Sequence, residues 1–121
     1  MIKLTEENFS IENTIEKMKK SEDGAIVTFL GIVRDDNIKE LKIECYLEMA
    51  EKELEKLEKI ARKKFDVNDI VIIHRYGRLK IKDNILLISV SSAHRKTAFR
   101  ACEFLIDEIK KVVPIWKEEI R

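Results

Sequence analysis

Four cations in the last third of the chain, His94, Arg95, Lys110 and Lys117, have the types and spacing to hold an anion and to move charge or protons beside it. Ser91-Ser92-Ala93-His94-Arg95 opens a stretch of helical periodicity, so the His-Arg pair stands at a helix start. The helix dipole there favours anions, and two cations are electrostatically misplaced. The same position becomes an anion receptor once free backbone N–H groups and both side chains converge on a phosphate or carboxylate. A local rule broken in this way points to function more often than to fold. The second motif, Lys110-Lys111-Val112-Val113-Pro114-Ile115-Trp116-Lys117, closes that helix and continues past it. Each cation also has a plain reading: Lys110 as a helix C-terminal charge, Lys117 as a surface lysine, Arg34 as a strand-end charge, His94 as a polar cap.

Spacing carries more than any single residue. Positions 95 and 110 are about 22 Å apart along one helix axis. Neither side chain spans that distance. The two motifs serve one small anion only if they come from two copies of the chain; otherwise they grip opposite ends of a large ligand. A two-fold dimer is favoured, with His94 and Arg95 from one copy and Lys110 and Lys117 from the other.

The elements that position these groups follow from periodicity. Ser10 reads as an N-cap, with Ile11, Ile15 and Met18 at helical spacing as far as Ser21-Glu22-Asp23-Gly24. Residues Gly24 to Arg34 are rich in β-branched side chains and read as a buried strand. Asp35-Asp36-Asn37 is a turn or loop. Leu41 to Leu47 is a second strand, and a helix runs from Glu48 to Phe65 on an apolar stripe of Leu54, Leu57, Ala61 and Phe65. Asp69 to Tyr76 is a third strand, broken at Gly77. It leads through the hairpin-like Lys80-Ile81-Lys82-Asp83 to a fourth strand, Asn84 to Ser91. The last helix spans Ala93 to Val112, with Phe99, Cys102, Ile106, Ile109 and Val113 as its buried stripe, and Pro114 stops it. Ile115 to Ile120 is a short extended or irregular tail. The order α-β-β-α-β-β-α predicts a two-layer α+β fold.

The bulk properties set limits. A chain of 121 residues with 45% hydrophobic content and one proline suits one ordered domain, residues 1–121. A net charge of +1 gives no strong field toward nucleic acid or membrane, and no apolar run is long enough to cross a bilayer. The first residues lack the apolar stretch of a signal peptide, so a cytoplasmic location is expected. Charged residues make up 39% and Gln is absent, a balance found in heat-adapted proteins. Cys45 and Cys102 lie in different elements and read as reduced thiols. Neither has the setting of a reactive, low-pKa cysteine, so any sulfur handled here arrives on another molecule. No His/Cys cluster has metal-ligand spacing, and neither metal nor cofactor is expected.

The motifs together resemble the large, catalytic subunit of molybdopterin synthase. Gly24 to Arg34 is similar to that family's first strand, and Glu44-Cys45-Tyr46-Leu47-Glu48-Met49-Ala50 to its next strand and the start of its helix. His74-Arg75-Tyr76-Gly77, Ser92-Ala93-His94-Arg95 and Pro114-Ile115-Trp116-Lys117-Glu118-Glu119 follow in the family's order. The resemblance implies an α/β hammerhead fold with an added antiparallel β subdomain. It implies a sulfurtransferase that converts cyclic pyranopterin monophosphate to molybdopterin by installing two dithiolene sulfurs. The implied donor is a small ubiquitin-like subunit with a C-terminal glycyl thiocarboxylate, in a heterotetramer around a homodimer of large subunits.

Family roles fall on matching positions. Lys110 and Lys117 correspond to the active-site lysines, and Arg34, His94 and Arg95 to substrate-binding cations. Ile32 and Val33 would line the pocket through backbone, and Glu118 and Glu119 extend the last segment. His74 and Arg75 read as structural. The loop after Arg34 is short, and longer members carry a further C-terminal tail that brings another arginine to the site. The competing expectation from another class is a non-catalytic phosphate- or nucleotide-sensing module of ferredoxin-like topology, which needs neither lysine.

Overall fold

The computed structural model describes all 121 residues, Met1–Arg121. Ten elements follow in order: β1 (Ile2–Thr5), α1 (Ile11–Met18), β2 (Ala25–Ile32), β3 (Glu40–Cys45), α2 (Leu47–Lys64), β4 (Asp69–Arg75), β5 (Gly77–Leu79), β6 (Asn84–Ser92), α3 (Arg95–Val112) and β7 (Ile115–Ile120). The fold is α+β. A mixed four-stranded sheet has the order β1-β4-β6-β2, and a three-stranded antiparallel sheet has the order β5-β3-β7.

Strand alternation divides the first sheet into two apolar faces. Ile70, Ile72, Ile88 and Val90 pack beneath α2 and α3 with Leu54, Leu57, Ala98, Ala101 and Leu105. Val71, Ile73 and Leu87 face the other way and bury Met18 of α1. Ser10 caps α1, its Oγ accepting from the Asn13 N–H at 3.2 Å. The second sheet has its own small core of Val33, Ile38, Leu41, Ile43, Leu79 and Ile85.

Several elements differ from the sequence expectation. β1 is an additional strand, pairing parallel to β4 with Ile2 opposite Ile72; four residues are too few to show a period. Lys80–Asp83 does not join two paired neighbours. Gly77, at φ +97°, turns the chain out of the first sheet, so β5 pairs with β3 while β4 pairs directly with β6. Ile115–Ile120 is a full strand against β3, from Cys45 opposite Ile115 to Glu40 opposite Ile120. Phe99 is not in the buried stripe of α3: it is 60% exposed, and Ala98, Ala101, Cys102, Leu105 and Ile109 form the stripe. At 100° per residue Phe99 sits about a quarter-turn from the centre of that face. β2 is the edge of its sheet, and none of its eight residues is buried, although its composition reads as an interior strand.

Gly24 marks the join between β2 and the start of α3. Its N–H donates to the Ser92 carbonyl at 2.9 Å, and a Cβ at this position would collide with the backbone carbonyl of Ala93. Gly24→Ala is expected to destabilise the protein by about 1–3 kcal/mol, because the obstacle is backbone and cannot rotate away. Urea denaturation checks this; an unchanged midpoint would contradict the close approach.

Candidate active site

β3, β7, the end of β2 and the end of α3 enclose a cavity of about 740 Å³. Ile32, Val33 and Arg34 enter it from the end of β2, Lys110 from α3, and Lys117 and Glu119 from β7; Phe29, Ile38, Leu41 and Ile85 are among its apolar lining. The cations thus come from three separate segments. Register explains the β7 contribution. Lys117 stands opposite Ile43 and Glu119 opposite Leu41, so both share the face that covers the small core. Trp116 and Glu118 take the other face, opposite Glu44 and Lys42. There the Trp116 indole donates to Glu44 Oε2 at 3.1 Å, and Lys42 Nζ lies 2.9 Å from Glu44 Oε1. Lys42 first and Trp116 after it hold the Glu44 carboxyl below its ordinary range.

Lys117 is exposed as a residue but has part of its side chain withdrawn from water. Its pKa is lowered, first by burial and second by the charge of Lys110. Lys110 is exposed at the end of α3. His74 is 4% exposed, and its Nδ1 is 2.8 Å from the Arg75 carbonyl. Burial lowers its pKa, the Arg75 bond opposes this, and the Lys117 charge lowers it further, so the net shift favours the neutral imidazole. Arg75 is a tie between elements: its guanidinium donates to the Glu6 carbonyl at 3.0 Å and the Asn84 carbonyl at 3.2 Å.

Arg34 reaches solvent with 82% of its side chain exposed, so it can swing toward an anion. It is held only by Asp36, Nε to Oδ2 at 3.1 Å. The Arg121 guanidinium in turn donates to the carbonyls of Asp36 and Asn37 at 3.0 and 3.2 Å, fixing the loop behind Arg34. Sequence reasoning did not single out Asp36 or the apolar lining. Asp36 gave a signal only in its position two residues after Arg34, and the lining residues come from segments that meet only in the fold.

His94 and Arg95 are outside this cavity. His94 is the N-cap of α3 without a side-chain capping bond, and the first turn has no acidic residue. Both side chains are exposed at the helix end opposite Lys110. Cys102 is buried, and its thiol is pushed up to about 11 by burial; burial also raises that of Cys45. Neither is poised as a thiolate at neutral pH. No helix is long and apolar enough to cross a membrane.

Comparison with known proteins identifies the family and its fold. A model of the family described as MoaE protein matches residues 4–112. The molybdopterin synthase catalytic subunit of Pyrococcus abyssi is 44% identical over 118 residues, covering 94% of this chain and 80% of its own length. The crystal structure of molybdopterin synthase from Staphylococcus aureus superposes with a TM-score of 0.91 at 40% identity, covering 97% of this chain and 88% of that one. A protein–protein complex of subunits 1 and 2 of molybdopterin-converting factor from Helicobacter pylori contains a chain that matches with a TM-score of 0.83 at 25% identity, covering 98% of this chain and 83% of that one. The chain therefore belongs to the MoaE protein family and is a molybdopterin synthase catalytic subunit.

Proposed function

We propose that the cavity of Arg34, Lys110 and Lys117 is where sulfur passes from the thiocarboxylate tail of a small ubiquitin-like subunit to cyclic pyranopterin monophosphate, and that His94 and Arg95 of a second copy complete it. The observation that carries this reading is the convergence of cations from three distant segments on one cavity. The two-subunit complex of the Helicobacter pylori relative supports the choice of a small protein as donor.

In this reading the substrate phosphate lies against Arg34 and the His94–Arg95 pair of the other copy. Guanidinium groups offer forked, permanently charged donors to phosphate oxygens. Asp36 holds Arg34 until the phosphate replaces it. The partner's extended tail enters toward the lysines, and its sulfur attacks a side-chain carbon of the pterin. A carbon–sulfur bond forms, an oxygen substituent leaves, and the pterin is joined to the tail as a thioester. Water then cleaves the thioester, leaving sulfur on the pterin and a carboxylate on the partner. A second charged partner repeats the step at the neighbouring carbon. Lys110, at the rim, stabilises the developing oxyanion on the tail carbonyl. Lys117, with its lowered pKa, is the group suited to exchange a proton with the leaving oxygen or the attacking water. Glu119, on the same face, balances the lysine charge.

Incubating the purified chain with a thiocarboxylated ubiquitin-like protein and the cyclic pterin tests this directly. Mass spectrometry should show a product carrying two sulfurs and a partner returned to its carboxylate. A partner that keeps its sulfur would contradict the reading.

A further inference from the structure

β7 carries Lys117 and Glu119 to the cavity, yet burial does not decide which way it faces. It is the outer strand of the three-stranded sheet, and none of its six residues is buried. Ile115 packs against the cores and favours the observed face. Trp116 opposes it: a larger apolar side chain, 43% exposed, it would gain by exchanging faces with Lys117. The backbone ladder to β3 can form in either register. A slip of one residue would send Lys117 and Glu119 to the outer face and Trp116 and Glu118 toward the cavity.

Cross-strand pairs decide such a choice. The Trp116 indole N–H donates to Glu44 Oε2 at 3.1 Å, directly across the ladder on the outer face. The other carboxylate oxygen, Oε1, lies 2.9 Å from Lys42 Nζ, so the acceptor is itself held. The Tyr46 ring meets the indole edge-on, with centroids 5.2 Å apart and planes at 61°. Tyr46 is also the N-cap residue of α2, so the group ties β7 to the junction of β3 and α2. None of these four side chains lines the cavity. The indole bond and the edge contact are both lost in the slipped register.

We propose that Trp116, Glu44, Lys42 and Tyr46 form a clasp that locks the register of β7 and so aims Lys117 into the cavity; they are positioning residues for the reaction. The proposal rests on Lys117 working in this cavity, the only route by which the clasp bears on turnover. Trp116 and Lys117 are adjacent, so strand alternation converts an outward grip on one into an inward aim of the other. The indole N–H is the part that phenylalanine cannot supply: a phenyl ring keeps the contact with Tyr46 but offers Glu44 no donor. The proton affinity of Lys117 reports where it points. In the cavity its pKa is lowered first by burial and second by Lys110. Turned outward, it would sit in water and both causes would weaken. Arg34, Asp36, Lys110 and Glu119 share the cavity with it, and His74 feels its charge; the variants below alter none of them.

NMR titration of the chain labelled with carbon-13 at lysine Cε tests the clasp without partner or substrate, the Lys117 signal being assigned by its loss in Lys117→Met. In Trp116→Phe and in Glu44→Leu the Lys117 midpoint should move up toward 10.5. The β7 amides should exchange about fivefold faster, the ratio expected for one lost exposed hydrogen bond, while those of β4 and β6 keep their rates. Turnover should fall about fivefold in each variant and no further in the double variant, because both substitutions remove one interaction. Glu44→Gln keeps an acceptor for the indole and should recover part of the loss. An unchanged Lys117 midpoint in both variants, or losses that multiply in the double variant, would overturn the clasp. A midpoint that moves while turnover holds would keep the clasp and remove Lys117 from the chemistry.

Discussion

Lys110→Ala is expected to abolish product formation while leaving folding and dimerisation intact. Lys110 is exposed at the last turn of α3 and makes no ion pair or hydrogen bond within the chain, so its removal should change stability by no more than about 0.5 kcal/mol. Its charge faces the cavity shared with Arg34 and Lys117. Losing one group that stabilises a developing oxyanion typically lowers turnover about 100- to 1,000-fold. Lys110→Arg keeps the charge but not the compact ammonium, and should recover part of the loss. Single-turnover product formation by mass spectrometry, with thermal denaturation as control, separates the effects. Normal turnover by Lys110→Ala would remove it from the chemistry.

Lys117→Met should do something different: lose activity and hold or gain stability. The lowered pKa of Lys117 means that the folded protein binds this proton less tightly than the unfolded chain does. Protonated Lys117 therefore costs stability at every pH below its folded pKa, and the cost is gone above the ordinary value of 10.5. Methionine carries no such cost. At pH 7 the variant should be at least as stable as the parent, and the difference should shrink as pH rises through the lowered pKa toward 10.5. Urea denaturation at a series of pH values reads this. If the free amine is the working form, turnover of the parent rises with pH over the same interval. A variant less stable at pH 7, with a gap that widens on raising pH, would show that Lys117 is structural.

The contrast between what sequence revealed and what it hid has a physical basis. α2 was legible because Leu54, Leu57 and Ala61 repeat at helical spacing on one side only, and all three are buried. The end of α3 was legible because Pro114 forbids its continuation. Phe99 misled because an aromatic residue near an apolar stripe looks like core, yet it sits about a quarter-turn from the centre of that stripe and is exposed. β7 was obscured because Trp116-Lys117-Glu118-Glu119 shows no apolar alternation; the face that meets the small core presents Lys117 and Glu119 rather than apolar side chains. The 22 Å between the two motifs was readable from helix rise alone, and His94 and Arg95 do stand at the end of α3 opposite Lys110. That Arg34 joins Lys110 and Lys117 in one cavity depends on two sheets meeting, which no local pattern encodes. Glu118 and Glu119, adjacent in sequence, part to opposite faces because strand side chains alternate.

The central claim is that one working site draws its cations from two chains. His94→Ala and Lys110→Ala, each inactive alone, should complement when co-expressed with different tags and purified together. Half of randomly formed dimers are mixed, and each mixed dimer has one site with every cation intact, so recovery of about a quarter of the parent's turnover is expected. Turnover in the mixture no higher than in either variant alone would contradict a site that combines His94 of one chain with Lys110 of the other.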